Sequence, residues 1–317
     1  DLIAYALTLM AELELPGGEY DIIVSVPPGL YESVKQQVID GFSAGQPYTV
    51  PVANKGRKTP ASSYDGWWEI ALSKNQTPSG LPQPRRYKFR RVIVVLEGWV
   101  GYAAYRFDLD GNVIELPGPD GQDMLGGVVE IGDAGFGTYD SPVLRDGMLV
   151  EDSLGHTTDD TGGIGNRLCE PILQKIMQTV PDARLTLAHI DKYLRDYMTG
   201  KDGKVKPESA DAATVDIRGK RLRLEGVFKT AIQSYAEWQW QSKITPAIRR
   251  NTDAYLVDGG GWLYSVNFIK SWAKDKLMIV GPDDVPHLKK YNYFELNGIG
   301  MLAFAAANIR QHMSEDE

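Results

Sequence analysis

Apolar residues recur at spacings of three and four from the start of the chain. Leu2, Ile3, Ala6, Leu7, Leu9, Met10 and Leu13 describe one face of a helix. Pro16-Gly17-Gly18 ends it, because glycine supplies the C-cap conformation and proline cannot continue a helix. Asp21 to Val26 reads as a buried strand stopped by Pro27-Pro28. Leu30, Val34, Val38 and Phe42 step by four and predict a second helix. A helix–strand–helix beginning of this kind predicts an α/β protein.

Residues 44–90 lose this periodicity and read as an insertion with one hairpin, around the aromatic pair Trp67-Trp68. The next strand is Tyr87 to Leu96, followed by a short helix over Trp99 to Phe107. Turns are predicted at Asp110-Gly111-Asn112, between strand-like arms, and at Pro119-Asp120-Gly121. Strands follow at about 127–132 and 141–150, with a turn at Asp146-Gly147. A glycine-rich link at 161–166 leads into a helix carrying Leu168, Ile172 and Ile176. Residues 183–220 read as a small peripheral subdomain of one helix and one hairpin. A long helix through Leu224, Phe228, Ile232 and Tyr235 is disturbed at Pro246. Ala254 to Val257 is a strand that runs into Gly259-Gly260-Gly261 and another helix, and the last helix covers about 298–313.

Composition narrows the class. The 317 residues are 43% hydrophobic and 24% charged, values of an ordinary globular protein with material for two cores. The formal charge of −8 argues against a general polyanion binder. One cysteine, Cys169, excludes an internal disulfide framework and fits a reducing cytoplasm. With four scattered histidines, a Cys/His metal site is not expected. No apolar run approaches the roughly 20 residues of a membrane-spanning helix. The chain opens on Asp1 inside a helix, which predicts a fragment or a processed product.

Three places carry chemistry. Asp133-Ala134-Gly135-Phe136-Gly137-Thr138-Tyr139-Asp140 follows an apolar strand. Its glycines let backbone N–H groups turn toward a phosphate, Thr138 can donate to a phosphate oxygen, and Asp133 can hold a Mg²⁺-bound water. A plain hairpin can carry the same glycines. Tyr255 to Trp262 ends a strand in three glycines, which lets a ligand lie against bare backbone, or simply makes a tight turn. Glu97, at the end of an apolar strand, can orient a water toward a phosphoryl group, or be a solvated strand end.

Other features have plainer explanations. Arg85 to Arg91 mixes basic and aromatic residues, but strand alternation predicts a solvated edge with Arg86, Lys88 and Arg90 on one face. Asp152, Asp159 and Asp160 lack calcium-loop spacing and are expected to flank a turn. His156 has no nucleophile motif beside it. Trp238 and Trp240 lie two apart on a helix, so one is expected to face outward.

The order of these pieces resembles the actin-like ATPases, and within them the ParM/StbA plasmid-segregation branch. The likeness is carried by strand-Pro-Pro at 22–28, strand-Glu-Gly at 92–98, Asp-x-Gly-x-Gly-Thr-x-Asp at 133–140 and strand-Gly-Gly-Gly at 255–261. The resemblance implies an α/β, actin-like (ribonuclease H-like) two-domain fold with a nucleotide cleft and an incomplete N-terminal domain. Residues 1–126 would be the remainder of domain I, with the insertion near 44–90. Residues 127–317 would be domain II, with a peripheral subdomain at about 183–245 and a C-terminal helix returning toward domain I. It implies ATP and Mg²⁺ as ligands. Glu97 and Asp133 become the catalytic residues, Asp133 acting on the metal through water. Gly135, Phe136, Gly137 and Thr138 become the phosphate hairpin, Gly163 and Gly165 the start of the ribose- and adenine-contacting helix, and Gly259, Gly260 and Gly261 the adenosine turn. Asn297 to Met301 resembles the last connecting segment.

The implied function is a cytoplasmic ATP-binding protein that self-associates into filaments for plasmid or DNA segregation, or a related cytoskeletal role. Its partner would be a DNA-binding adaptor, with no direct nucleic-acid or membrane contact. A non-catalytic filament or scaffold subunit is the alternative, and a sugar kinase or Hsp70-like relative a third reading. The family's first phosphate hairpin has no counterpart within residues 1–317. The expectation is therefore a chain whose ATPase activity requires a further N-terminal segment.

Overall fold

The computed structural model describes residues 2–27, 30–45, 47–48, 66–70, 84–150, 158–199 and 213–315. The chain forms two compact units, Asp1–Val26 with Leu30–Val95, and Pro27–Gly29 with Leu96–Glu317. The units divide between Val95 and Leu96, and the boundary expected at 126/127 falls within the second.

The first unit contains α1 (Leu2–Glu12), β1 (Gly18–Val26), α2 (Tyr31–Ala44), β2 (Pro47–Tyr48), β3 (Trp67–Ile70) and β4 (Arg85–Leu96). Its sheet runs β1-β4-β3-β2. Leu7, Phe42, Trp68, Tyr87 and Phe89 build the core, and the Trp68 indole N–H donates to the Phe42 carbonyl at 2.8 Å. Within α1 only Leu7 and Ala11 are buried, whereas Leu2 and Leu9, and Leu13 just beyond the helix, are exposed. The expected 44–90 hairpin is represented by antiparallel β3 and β4, with Trp67 opposite Lys88; most of that segment lies outside the described residues. β4 is not an edge, since it lies between β1 and β3. Its basic face is nevertheless solvated, with Arg86 and Arg90 exposed beside buried Tyr87 and Phe89.

The second unit begins with α3 (Trp99–Arg106) and continues through β5 (Val128–Ala134), β6 (Tyr139–Asp140), β7 (Val143–Arg145), β8 (Met148–Leu149) and β9 (Thr158–Asp159). Then come α4 (Glu170–Thr179), α5 (Leu187–Met198), β10 (Thr214–Ile217), β11 (Lys220–Arg223), α6 (Glu225–Gln239) and α7 (Thr245–Arg249). The chain ends in β12 (Ala254–Asp258), α8 (Trp262–Ala273), β13 (Met278–Val280) and α9 (Leu296–Glu315). β13, β12 and β5 are parallel neighbours, and β6 and β9 extend the sheet antiparallel. β6 and β7 both pair with β5 and are separated at Ser141-Pro142. Pro142 has no N–H, but its carbonyl still accepts from Ile131 N–H at 3.1 Å. The expected strand 141–150 is the hairpin β7–β8, turned at Asp146-Gly147 with φ of 52° and 72°. Around Asp110-Gly111 the expected strand-like arms reduce to a single bridge, Phe107 to Val113.

Side-chain alternation along β5 and β12 sends residues to two helical layers. Val129, Ile131, Ala254 and Leu256 pack with Tyr102 and Tyr105 of α3 and Leu296 of α9. Ala134, Tyr139, Tyr255 and Val257 pack with Trp262, Val266 and Ile269 of α8. A third cluster joins α4, α5, α6 and the β10–β11 hairpin, which are the helix and hairpin expected at 183–220 and their neighbours.

Two π turns interrupt the helices, Gly165–Cys169 before α4 and Trp240–Ile244 between α6 and α7. Each precedes a proline by two residues, Pro171 and Pro246. A proline lacks the N–H of the regular ladder and its ring crowds the carbonyl four residues back, and the wider turn relieves both defects. The disturbance expected at Pro246 therefore takes the form of a π turn rather than a break. It also places Trp238 and Trp240 both half-buried, against Tyr235 and Trp272 respectively, so neither is the outward ring expected.

Candidate functional site

β5 and β6 are joined by Gly135 to Thr138, with Asp133 opposite Asp140. The Thr138 hydroxyl donates to Asp140 Oδ2 at 3.1 Å, and Thr158 donates to Asp140 Oδ1 at 2.5 Å. Thr138 therefore shapes the turn through its hydroxyl. Among the described residues no backbone carbonyl takes the N–H groups of Phe136, Gly137 or Thr138. A turn whose N–H groups are left without backbone acceptors can bind an anion.

Two further glycine segments close on this turn. Ile164 N–H donates to the Gly135 carbonyl at 3.1 Å and Gly165 N–H to the Phe136 carbonyl at 2.9 Å. Gly261 N–H donates to the Ala134 carbonyl at 2.8 Å. A Cβ on Gly163 would fall 2.3 Å from the Gly137 carbonyl carbon. Gly259 has φ +83°, and a Cβ there would meet Asp133 Oδ1 at 2.6 Å. Gly137 is open on its Cβ side, and Gly260 is approached only by Phe294 Cβ at 3.6 Å. The structure thus brings together Gly135, Phe136, Gly137, Thr138, Gly163, Gly165, Gly259, Gly260 and Gly261, all predicted from the sequence. Gly163, Gly259 and Gly261 serve close packing, while Gly137 and Gly260 leave the surface clear.

Carboxyl groups gather at the same strand ends. Asp133 pairs in register with Asp140 on one side and Asp258 on the other, so all three lie on the α3 face of the sheet. Asp133 Oδ2 accepts from Asn297 Nδ2 at 3.1 Å. Burial pushes the Asp133 carboxyl up to about 7; the Asn297 hydrogen bond opposes this, and the charges of Asp140 and Glu97 add to it. Burial, and then Asp133, hold Asp258 well above the carboxylate range, against the Gly259 N–H donor at 2.7 Å. Asp258 Oδ2 has no hydrogen-bond partner, and a Cβ on Gly101 of α3 would stand 2.3 Å from it. Glu97 is half-buried and raised by desolvation, then by Asp140. Burial likewise raises Asp140, opposed by Thr158 and Thr138.

This arrangement fits a phosphorylated ligand carrying a hydrated divalent cation. The N–H groups of residues 136–138 offer donors that phosphate oxygens would accept from, and a cation there would offset the crowded carboxyls. Among the described residues no three His, Cys, Asp or Glu side chains are placed to hold a bare metal ion. Mg²⁺ on a nucleotide keeps several waters and needs one or two carboxylates, a need that Asp133 could meet through water. Glu97, with its proton affinity raised, suits general-base work on a water.

Asp258 and Lys243 were not singled out by sequence reasoning, and Asn297 only as part of a connecting segment. Asp258 adjoins Gly259 in the strand motif, but its phase relative to Asp133 appears only with the register. Lys243 lies on the π turn, is almost buried, and pairs with Asp159 at 3.4 Å; helical periodicity alone gives no signal for it. Asp159 also accepts from Thr161 N–H and hydroxyl at 3.0 and 2.9 Å, as expected of a turn-flanking residue. Asp152 and His156 lie outside the described residues.

Among solved structures, the chain is similar to ParM of Bacillus thuringiensis in apo form. The TM-score is 0.52 at 18% identity, over 73% of this chain and 55% of that one. A Bacillus thuringiensis ParM hybrid protein with ADP, containing two ParM mutants, superposes at a TM-score of 0.51 and 18% identity, over 73% of this chain and 30% of the hybrid. The fold is actin-like. The chain spans about half the length of the ParM in apo form that it matches. An archaeal actin homolog, Ta0583, aligns with a TM-score of 0.49 at 18% identity, over 71% of this chain and 59% of its own. No family model matches the chain, and no curated protein matches it by sequence. Among the described residues of this actin-like chain, no helix is long and apolar enough to cross a membrane.

Proposed function

We propose that this chain is an actin-like, ATP-binding subunit that assembles into filaments, with ATP hydrolysis controlling assembly once the first phosphate hairpin is supplied. The reading is carried by one observation: the segments at 135–138, 163–165 and 259–261 converge by backbone hydrogen bonds on the turn beside Asp133 and Glu97. The N–H groups of Phe136, Gly137 and Thr138 hold phosphate oxygens. Gly259 to Gly261 seat the adenosine end on bare backbone. Asp133 would hold Mg²⁺ through its water shell, and the bound ion would neutralise phosphate charge. Glu97 accepts a proton from the water that attacks in line. Supporting the ligand class, ParM structures superposed on this fold include one with ADP. A role in plasmid or DNA segregation, a DNA-binding adaptor and a cytoplasmic location belong to the same proposal.

Calorimetry with ATP and Mg²⁺ tests the binding step, and a pelleting assay across protein concentration tests assembly. ATP should lower the concentration at which polymer first sediments. A chain that binds no nucleotide would remove the site, and one that stays monomeric with nucleotide bound would remove the filament.

A further inference from the structure

We infer that Asn297 is a positioning residue for the cation-bearing part of the nucleotide site: its side-chain amide fixes the Asp133 carboxylate that orients the hydrated Mg²⁺. The inference rests on the nucleotide reading above and names one further residue of that site.

Asp133 stands at the end of β5 and is caught from two sides. Its Oδ2 accepts the Asn297 amide at 3.1 Å. Its Oδ1 lies so close to Gly259 that any side chain there would meet it at 2.6 Å. One oxygen is thus hydrogen-bonded and the other lies beside the glycine turn, so both contacts restrict how the carboxylate can turn. The amide comes from a rigid element. Leu296, its neighbour, is fully buried, and Gly300 one turn on approaches α3 so tightly that a Cβ would fall 1.9 Å from the Val100 carbonyl oxygen. A site held on packed helices is more precise than one on loops.

The chemistry at 297 is specific. Asn297 Oδ1 is buried with no hydrogen-bond partner, so only the donor end of the amide is engaged. A carboxylate of the same shape would face Asp133 with a second negative charge, and an aliphatic side chain would leave Asp133 Oδ2 without its donor. Groups that orient a ligand for a metal commonly change metal affinity by about 10–100-fold when removed.

The test is calorimetry of ATP binding with excess Mg²⁺ and, separately, with EDTA. It compares the wild-type chain with Asn297→Leu, Asn297→Asp and Asn297→Ser, after circular dichroism confirms the fold. In the wild type, Mg²⁺ should tighten ATP binding. In Asn297→Leu and Asn297→Asp that gain should shrink by about tenfold, with affinity in EDTA within about twofold of wild type, a difference near 0.4 kcal/mol. Asn297→Ser, which keeps a donor, should recover part of the gain. An unchanged Mg²⁺ gain in Asn297→Leu, or an equal loss in both arms, overturns the positioning role while leaving the site standing. Absence of ATP binding by the wild type in either arm overturns the nucleotide reading and this inference together.

Discussion

Gly163 and Gly137 meet backbone to backbone: a Cβ on Gly163 would lie 2.3 Å from the Gly137 carbonyl carbon, whereas a Cβ on Gly137 would meet nothing within 4 Å. The contact locks the Gly135–Thr138 turn onto the entry to α4, and its two partners should respond differently to the same mutation. Gly163→Ala should cost about 1–3 kcal/mol through overpacking against backbone, while Gly137→Ala should leave the melting temperature nearly unchanged. Thermal denaturation of the two variants checks the ranking. Gly137→Val should keep the fold yet weaken ATP binding, because its side chain enters the space left for phosphate. Unaltered affinity in calorimetry would take this turn out of the site.

Glu97 separates binding from chemistry. Its carboxyl is partly desolvated and lies near Asp140 rather than in a strong ion pair. An interaction made only in the transition state lowers turnover without weakening ground-state binding. Tested with the first phosphate hairpin supplied, Glu97→Ala should hold ATP affinity within a few-fold and reduce phosphate release by about 10²-fold or more. Equal release by mutant and wild type would reduce Glu97 to a solvated strand end.

Beneath the hairpin, the Tyr139 and Tyr255 hydroxyls share a buried hydrogen bond of 3.1 Å. Tyr139→Phe leaves the Tyr255 hydroxyl without its partner and should cost about 1–3 kcal/mol. The double variant Tyr139→Phe with Tyr255→Phe removes both polar groups and should recover much of that loss. Chemical denaturation of the three variants completes the cycle, and strictly additive losses would show that the two hydroxyls are uncoupled.

Stability should fall with rising pH because of Glu130. Its side chain is buried on β5 and pairs with Arg250, but burial outweighs the pairing and raises its carboxyl from 4.5 to about 7. Between those values the folded chain keeps a proton that the unfolded chain releases. The proton-linked stability is therefore full below about 4.5 and lost by the time pH passes about 7, a span of roughly 3 kcal/mol at most. Glu130→Gln should flatten denaturation midpoints across this window and exceed wild type at pH 8. A steeper dependence in the variant would refute the assignment.

The β-α order of the chain and the glycine segments were legible because both depend on local signals. Short apolar runs marked β5 and β12, and glycines marked the turns at 135–137 and 259–261. What remained hidden depends on register between distant strands. Asp258 acquires meaning only when parallel pairing sets it beside Asp133, 125 residues earlier in the chain. The interior position of β4 was hidden for the same reason, since a basic face looks alike on an edge and on a solvated central strand. Lys243 escaped because a π turn breaks the periodicity by which a helix face is read.

That π turn changes what the α6–α7 rod can serve. Each residue of an α-helix advances about 100° around the axis, and the added residue within Trp240–Ile244 swings the apolar stripe by that amount. Phe228, Ile232 and Tyr235 consequently belong to the cluster with α4 and α5, while Ile244 and Ala247 belong to the cluster under β12. One continuous shaft is shared by two cores, its first half packed with α4 and α5 and its second half under the strand that ends at Asp258.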